Sequence, residues 1–94
     1  MFDIQMAKNK EIRLIGRFDA SQVKKAEAFF NDVKTTSKVD FSDLEYISSA
    51  GLGVLLAAQK YLKDEGHQLI LIKMNKHIRD IFEWARFNMI FKIE

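Results

Sequence analysis

The chain begins with alternating apolar and polar residues. Phe2-Asp3-Ile4-Gln5-Met6 alternates with a period of two, which is typical of a half-buried strand. The segment Glu11 to Phe18 places Ile12 and Leu14 on one face, and Lys8-Asn9-Lys10 between the two segments has the composition of a turn. The pattern therefore predicts two strands joined as a β-hairpin.

Three later segments repeat apolar residues every three or four positions, which predicts three amphipathic helices. We expect Asp19 to cap the first helix and Thr35-Thr36-Ser37 to end it. The second is expected from Ala50 to Glu65 and the third after its N-cap Asn75, with Trp84 partly buried beside the inward stripe. The predicted inward residues are Val23, Ala26, Phe30 and Val33; Leu52, Leu55, Leu56 and Gln59 or Leu62; and Ile78, Ile81, Phe82 and Ala85.

Short apolar runs between and after these helices predict the remaining strands. They are Lys38 to Phe41, His67 to Met74 and Phe91 to Ile93. The order ββαβαβαβ predicts an α/β fold, with a mixed sheet of four or five strands and three helices on one or both faces. Because 94 residues hold one hydrophobic core, we expect a single domain over residues 1–94.

Composition narrows the range of functions. Fifteen Lys and Arg against thirteen Asp and Glu leave a net charge of +2, and the basic residues are dispersed, which argues against a nucleic-acid partner. Cysteine is absent, so disulfides, thiolate metal sites and cysteine catalysis are excluded. Neither a membrane-spanning run nor a signal-peptide pattern is present, so we expect no membrane partner and a cytoplasmic location.

No set of residues has the pattern of an enzyme active site. His67 and His77 have no partner at metal-ligand spacing and are interpreted as surface residues. Asp40, Asp43 and Glu45 have the chemistry to ligate Mg²⁺, but the simpler interpretation is polar residues of a loop. We therefore expect no enzymatic activity, no cofactor and no metal site.

The segment with most chemical information joins the third predicted strand to the second helix. Ser48 and Ser49 lie where the helix begins, and the glycines of Ala50-Gly51-Leu52-Gly53 allow another backbone to approach closely. The first N–H groups of a helix lack intrahelical acceptors and carry positive partial charge. A serine there is either an N-cap or a hydroxyl that is modified. The G-x-S-x-G pattern of a nucleophilic serine and the Gly-Lys-Ser/Thr of a phosphate loop are both absent.

The segment Asp40 to Leu56, DFSDLEYISSAGLGVLL, resembles the signature of the STAS domain as found in bacterial anti-sigma factor antagonists. Asp40-Phe41 matches the strand end of that signature, and Ser48 to Gly53 matches its loop and helix start. The resemblance extends to Leu14–Asp19 and to Ile81–Ile93, and so covers nearly the whole chain. It implies the STAS-like fold without the fourth, C-terminal helix that many members have.

What the resemblance implies for function is a regulatory switch. Members bind an anti-sigma factor that is also a serine kinase, and thereby release the sigma factor. The kinase ends the binding by phosphorylating the serine at the start of the second helix, and a PP2C-type phosphatase reverses the modification. Carried onto this sequence, the phosphorylated residue is Ser49. The residues expected to bind the partner are Phe18, Asp19, Ser48, Ala50, Gly51 and Leu52.

One departure from the family pattern leaves a second interpretation open. Ser48 stands where kinase-regulated members often have Asp, and this form also occurs in STAS proteins with other partners. The alternative is an unphosphorylated accessory or structural subunit of a transporter or signalling assembly, such as the small cytoplasmic partner of a lipid-transport ATPase. A missing fourth helix would leave an apolar face for a partner or for a homodimer.

Overall fold

The computed structural model describes residues 1–94 and contains five strands and three α-helices in the predicted order. The strands are β1 (Phe2–Met6), β2 (Ile12–Phe18), β3 (Ser37–Ile47), β4 (Leu69–Ile72) and β5 (Lys92–Ile93). The α-helices are α1 (Val23–Asn31), α2 (Ser49–Asp64) and α3 (Lys76–Trp84), and 3-10 turns lie at Ala20–Gln22 and Phe87–Met89. The predicted α/β fold with a mixed sheet is confirmed.

The strands lie in the sheet in the order in which they occur in the chain, β1-β2-β3-β4-β5. β1 and β2 are antiparallel, which confirms the predicted hairpin, and every later pair is parallel. Right-handed crossovers that add each new strand on the same side place all the helices on one face. Consistent with this, buried residues of all three helices share one hydrophobic cluster with Ile12, Leu14 and Phe18 of β2.

An aromatic group attaches α3 to the sheet. The rings of Phe41 in β3 and Phe82 in α3 meet edge to face with their centroids 5.6 Å apart. Phe82 also contacts Phe87 and Phe91, which follow α3 in the chain. These rings bury the core side of α3, so its opposite side is left to face solvent or a neighbouring element.

The burial of the helices largely follows the predicted stripes, with four exceptions. Val23 in α1 and Ile81 in α3 are only half-buried. Leu56 in α2 is only half-buried, and Val54 takes the buried place instead. Ala85, expected to be inward, is exposed because α3 ends at Trp84. The first helix also ends earlier than expected, at Asn31.

The third strand is much longer than the segment Lys38 to Phe41 that the sequence predicted. β3 runs for 11 residues because two register shifts against β2 accommodate extra residues. At the first shift the Asp40 carboxylate accepts a hydrogen bond from the backbone N–H of Ser42 at 2.8 Å. The side chain thus satisfies a backbone N–H that does not take part in strand pairing. The polar residues of this segment, which resemble a loop in the sequence, therefore lie within a strand.

Trp84 is not partly buried as predicted, because its side chain is 92% exposed. The core side of α3 is defined by Ile78 and Phe82, which are fully buried. Trp84 follows Phe82 by two residues and so lies about 200° further round the helix. Since its ring projects away from the core, it belongs to the second, outward side of α3.

Candidate functional site

The two adjacent serines occupy different positions at the start of α2. Ser48 is the N-cap, with extended backbone angles, and its hydroxyl oxygen accepts the backbone N–H of Gly51 at 3.1 Å. The Ser48 N–H in turn donates to the carbonyl oxygen of Phe18 at 2.9 Å. Ser49 is the first residue of the helix and is exposed. Ser48 therefore performs the capping, and the Ser49 hydroxyl is accessible for other chemistry.

Close packing of α2 against the end of β2 holds this helix start in place. A Cβ added to Gly51 would lie 3.0 Å from Ile47 Cγ1 and 3.1 Å from Cγ of the Phe18 ring, closer than carbon atoms normally approach. The expected close approach is thus confirmed at Gly51, whereas at Gly53 an added Cβ would meet nothing within 4 Å. The glycine at 51 is required for packing.

Three of the expected partner-binding residues are buried, and the expectation is corrected for two of them. Phe18 is fully buried and Gly51 is buried beneath the loop, so neither presents a surface to a partner. Their part is to support Ser48, which is half-buried, and Ala50, which is exposed. Leu52 is also classed as buried, at 8% exposure, but its side chain lines the groove described below.

Asp19 lies beside this loop, half-buried at the turn that follows β2. Its carboxylate accepts the hydroxyl of Ser21 at 2.5 Å and the backbone N–H of Ser21 at 3.0 Å. The hydrogen bond from the Ser21 hydroxyl lowers the pKa of Asp19 most, and the one from the Ser21 N–H adds to it. Together they hold this pKa below its usual value despite partial desolvation. Asp19 caps the 3-10 turn, whereas the sequence predicted that it caps α1. This turn lies next to the start of α2.

An open groove of about 600 Å³ separates the start of α2 from α3. Its apolar lining consists of Ile47, Leu52, Ile81, Trp84 and Ala85. Its polar lining consists of Ser49, His77 and Asp80. The serine singled out by the sequence therefore lies at the border of an apolar concave surface, next to a histidine and a carboxylate.

The α3 side of the groove was not predicted as a functional surface. Positions 77, 81 and 84 recur at helical spacing and form a second stripe, separate from the core stripe of Ile78 and Phe82. The sequence did contain a signal for this surface, because α3 has more apolar and aromatic residues than a single buried stripe requires. His77 is exposed, as expected, but it faces the groove rather than an open surface.

Charges near the groove are arranged along the first turns of α3. Asn75 caps this helix through a hydrogen bond from the backbone N–H of Ile78 to its side-chain oxygen at 2.9 Å. Lys76 pairs with Asp80 one turn later, at 2.9 Å. The hydrogen bond and the negative charge of Asp80 raise the pKa of Lys76. Asp80 thus enters the groove with its charge partly balanced.

The carboxylates of β3 are engaged in contacts within the sheet. Burial acts to raise the pKa of Asp40, but the hydrogen bonds from Ser42 and the charges of Lys73 and Arg13 outweigh it and lower the pKa. Arg13 also forms an ion pair with Asp43 on the neighbouring strand. The structure contains no group of three or more His, Asp or Glu side chains arranged to hold a metal ion. Asp40 and Asp43 thus have partners within or beside the sheet.

None of the three helices is both long enough and apolar enough to cross a lipid bilayer.

Among proteins of known sequence, the chain is similar to a relative from Bordetella bronchiseptica (strain RB50) named "Putative anti-sigma factor antagonist BtrV". The two are 40% identical over 55 residues, which make up 58% of this chain and 47% of the relative. The matched segment therefore spans about half the length of that curated relative.

Solved structures with the same fold cover the whole chain at low identity. TM1081 from Thermotoga maritima, which carries the same description as BtrV, superposes with a TM-score of 0.80 at 19% identity, covering 99% of this chain and 85% of that one. The phosphorylated form of the Bacillus cell fate determinant SpoIIAA gives 0.71 at 19% identity, covering 100% and 91%. At such identities the likeness establishes the fold.

A protein-family model described as "Mlab, STAS domain" matches residues 3–92. The match includes every strand and helix except the first residue of β1 and the last of β5. The chain therefore belongs to the STAS domain family.

Proposed function

We propose that this protein is a regulatory binding module that sequesters an anti-sigma factor with serine-kinase activity, and that phosphorylation of Ser49 ends the binding. The observation that carries the proposal is the division between the two serines. Ser48 caps α2, so Ser49 has an exposed hydroxyl at the border of an apolar groove without being needed for the helix. A modification at Ser49 thus reaches the binding surface and spares the fold.

The chemistry of the switch is phosphoryl transfer and its reversal. The kinase transfers the γ-phosphoryl group of ATP to Ser49 Oγ, so that an O–P bond forms while the bond to ADP breaks and a base of the kinase takes the hydroxyl proton. A PP2C-type phosphatase restores the serine by hydrolysis, with water supplying the oxygen of the released phosphate. ATP and Mg²⁺ belong to the kinase, so this chain supplies only the acceptor.

The change in charge explains why binding and stability respond differently. Phosphorylation adds about −1.5 to −2 charge units. At the positive end of α2 this charge is stabilised by about 0.3–1 kcal/mol, so the helix is retained. A partner surface fitted to a hydroxyl and to the apolar groove must instead desolvate a dianion for which it has no counter-ion. Affinity therefore falls while the fold persists.

The relatives support the proposal by their names and states. BtrV and TM1081 are both described as anti-sigma factor antagonists, and SpoIIAA has been solved in phosphorylated and unphosphorylated forms. SpoIIAA shares the fold, so the same kind of domain accommodates phosphate without unfolding. For this chain, the kinase, the phosphatase and the acceptor residue are parts of the proposal.

The decisive test is phosphorylation by a cognate anti-sigma factor kinase. The purified proteins are incubated with ATP and Mg²⁺, and the modified residue is located by mass spectrometry. Phosphate is expected on Ser49 in the natural sequence and in Ser48→Ala, and to be absent in Ser49→Ala. Phosphate on Ser48 alone, or on neither serine, contradicts the proposal.

A second candidate function is a constitutive, unphosphorylated accessory subunit of a transporter or signalling assembly. One observation favours it: Trp84 is 92% exposed beside the groove, as suits an anchor in a permanent interface. Stable co-purification with a transport ATPase encoded by neighbouring genes, without phosphate on Ser49, distinguishes this function from the switch.

A further inference from the structure

We propose that a phosphate on Ser49 is received by His77 across the groove, so that modification also closes the groove over its apolar floor. This inference rests on the proposed function, because it assumes that Ser49 carries the phosphate. It assigns to His77 a role that the sequence did not suggest, since a lone exposed histidine has no partner at metal-ligand spacing. The role is that of an internal hydrogen-bond donor to the modified side chain.

The geometry that carries the inference is the shared groove. Ser49 lines it from the first residue of α2, and His77 lines it from the first turn of α3. A volume of 600 Å³ corresponds to a sphere about 10 Å across. A phosphate lengthens the serine from one side, and the imidazole extends from the other. In either protonation state the imidazole ring has an N–H to donate to a phosphate oxygen.

The charges lining the groove favour this pairing and also limit it. The side contributed by β3 and α2 has no titratable residue, since Ile47, Ser49 and Leu52 line it. The α3 side has His77 and Asp80, and Lys76 balances Asp80 from one turn away. A phosphate dianion is attracted by a protonated imidazole and by the positive end of α3, and it is repelled by Asp80. Asp80 therefore opposes the pairing that His77 favours.

The pairing has a functional consequence beyond repulsion of the partner. A bridge from Ser49 to His77 crosses the groove beside Leu52 and Ile81, so it obstructs access to these apolar side chains. The surface offered to the partner is then occupied by the protein's own side chains. The switched-off state is consequently an occluded groove as well as a charged one, which makes switching depend on α3 as well as on the modified residue itself.

The test uses protein with phosphoserine inserted at position 49 during translation, so no kinase is needed. Broadening of the methyl NMR signals of Leu52 and Ile81 by a soluble paramagnetic probe measures access to the groove, because both residues line it. Phosphorylation is expected to lower that broadening at least twofold in the natural sequence. The fall should disappear in His77→Ala, increase in Asp80→Asn, and persist in His67→Ala, which removes the one other histidine and lies outside the groove.

A second readout addresses the contact itself. The ring nitrogen resonances of His77 should move on phosphorylation by more than those of His67 in the same NMR spectrum. Unchanged His77 resonances, or a fall in broadening that survives His77→Ala, overturns the inference. The proposed function fails in a different way: phosphorylated protein that binds its partner as well as unmodified protein does contradicts the switch, even where the His77 contact is observed.

Discussion

The two walls of the groove are built differently. On the α2 wall, Gly51 packs so closely against Phe18 that an added Cβ would lie 3.1 Å from its ring. Ser48 caps the first turn and donates its N–H to β2. On the α3 wall, the core side of the helix is held by buried residues while Trp84 is almost fully exposed. Thus the first wall consists largely of structural residues with one free hydroxyl. The second combines Ile81, which packs against the core, with exposed side chains that the fold does not need.

This difference separates stability from affinity. A substitution beneath the α2 wall displaces the helix that positions Ser49, so it changes both properties. A substitution on the groove side of α3 leaves the core contacts of Phe82 intact and changes only what a partner touches. Ser49 is the exception on the first wall, because it lies outside the cap.

The largest effect is expected from filling the contact beneath the α2 wall. Gly51→Val forces side-chain atoms into the space already occupied by Ile47 and Phe18, and should reduce the free energy of unfolding in urea by about 2–3 kcal/mol. Gly53→Ala is the matched control, because its Cβ meets nothing and it should stabilise the helix by about 0.5–1 kcal/mol. Equal destabilisation by both substitutions would show that the helix start is not held by this packing.

The next largest effect is expected on the α3 wall. Trp84→Ala removes an exposed aromatic side chain of the kind that anchors interfaces, so affinity for the partner should fall about 30-fold, or about 2 kcal/mol. Stability should change by less than about 0.5 kcal/mol. Calorimetric titration with the cognate anti-sigma factor measures the first quantity and urea unfolding the second. Tyr61→Ala, an exposed aromatic of α2 outside the groove, is the control and should leave affinity unchanged.

A negative charge at position 49 tests whether the two walls meet a common partner. Ser49→Asp should weaken partner binding more than tenfold, or more than about 1.4 kcal/mol. Stability should change by less than about 1 kcal/mol, because an acidic group suits the first turn of a helix. Ser49→Asn has nearly the same shape without the charge and should lose less affinity. If the Asn variant loses as much as the Asp variant, size rather than charge controls binding.

The sequence was informative where one local rule determines the structure. Alternation predicted β1 and β2, and the residues Ser48-Ser49 and Asn75 predicted the two helix starts that border the groove. It failed where distant contacts decide. The length of β3 depends on how its polar residues align with β2 across two register shifts, and the exposure of Trp84 depends on which side of α3 meets Phe41. The register of β3 is not encoded in local spacing, whereas the two-residue step from the inward Phe82 to Trp84 did indicate an outward position.

The smallest effects distinguish the two serines on the α2 wall. Ser48→Ala removes the hydroxyl that accepts the Gly51 N–H, and should reduce the free energy of unfolding by about 1 kcal/mol. Ser49→Ala leaves that cap intact and replaces an exposed residue in the helix with a better helix former, so its effect should stay within about 0.5 kcal/mol. Urea unfolding of both variants and of the double variant measures the difference. A larger loss at Ser49 than at Ser48 would reverse the assignment of cap and acceptor. The predicted order instead means that Ser49 is free to be modified because its neighbour already caps the helix.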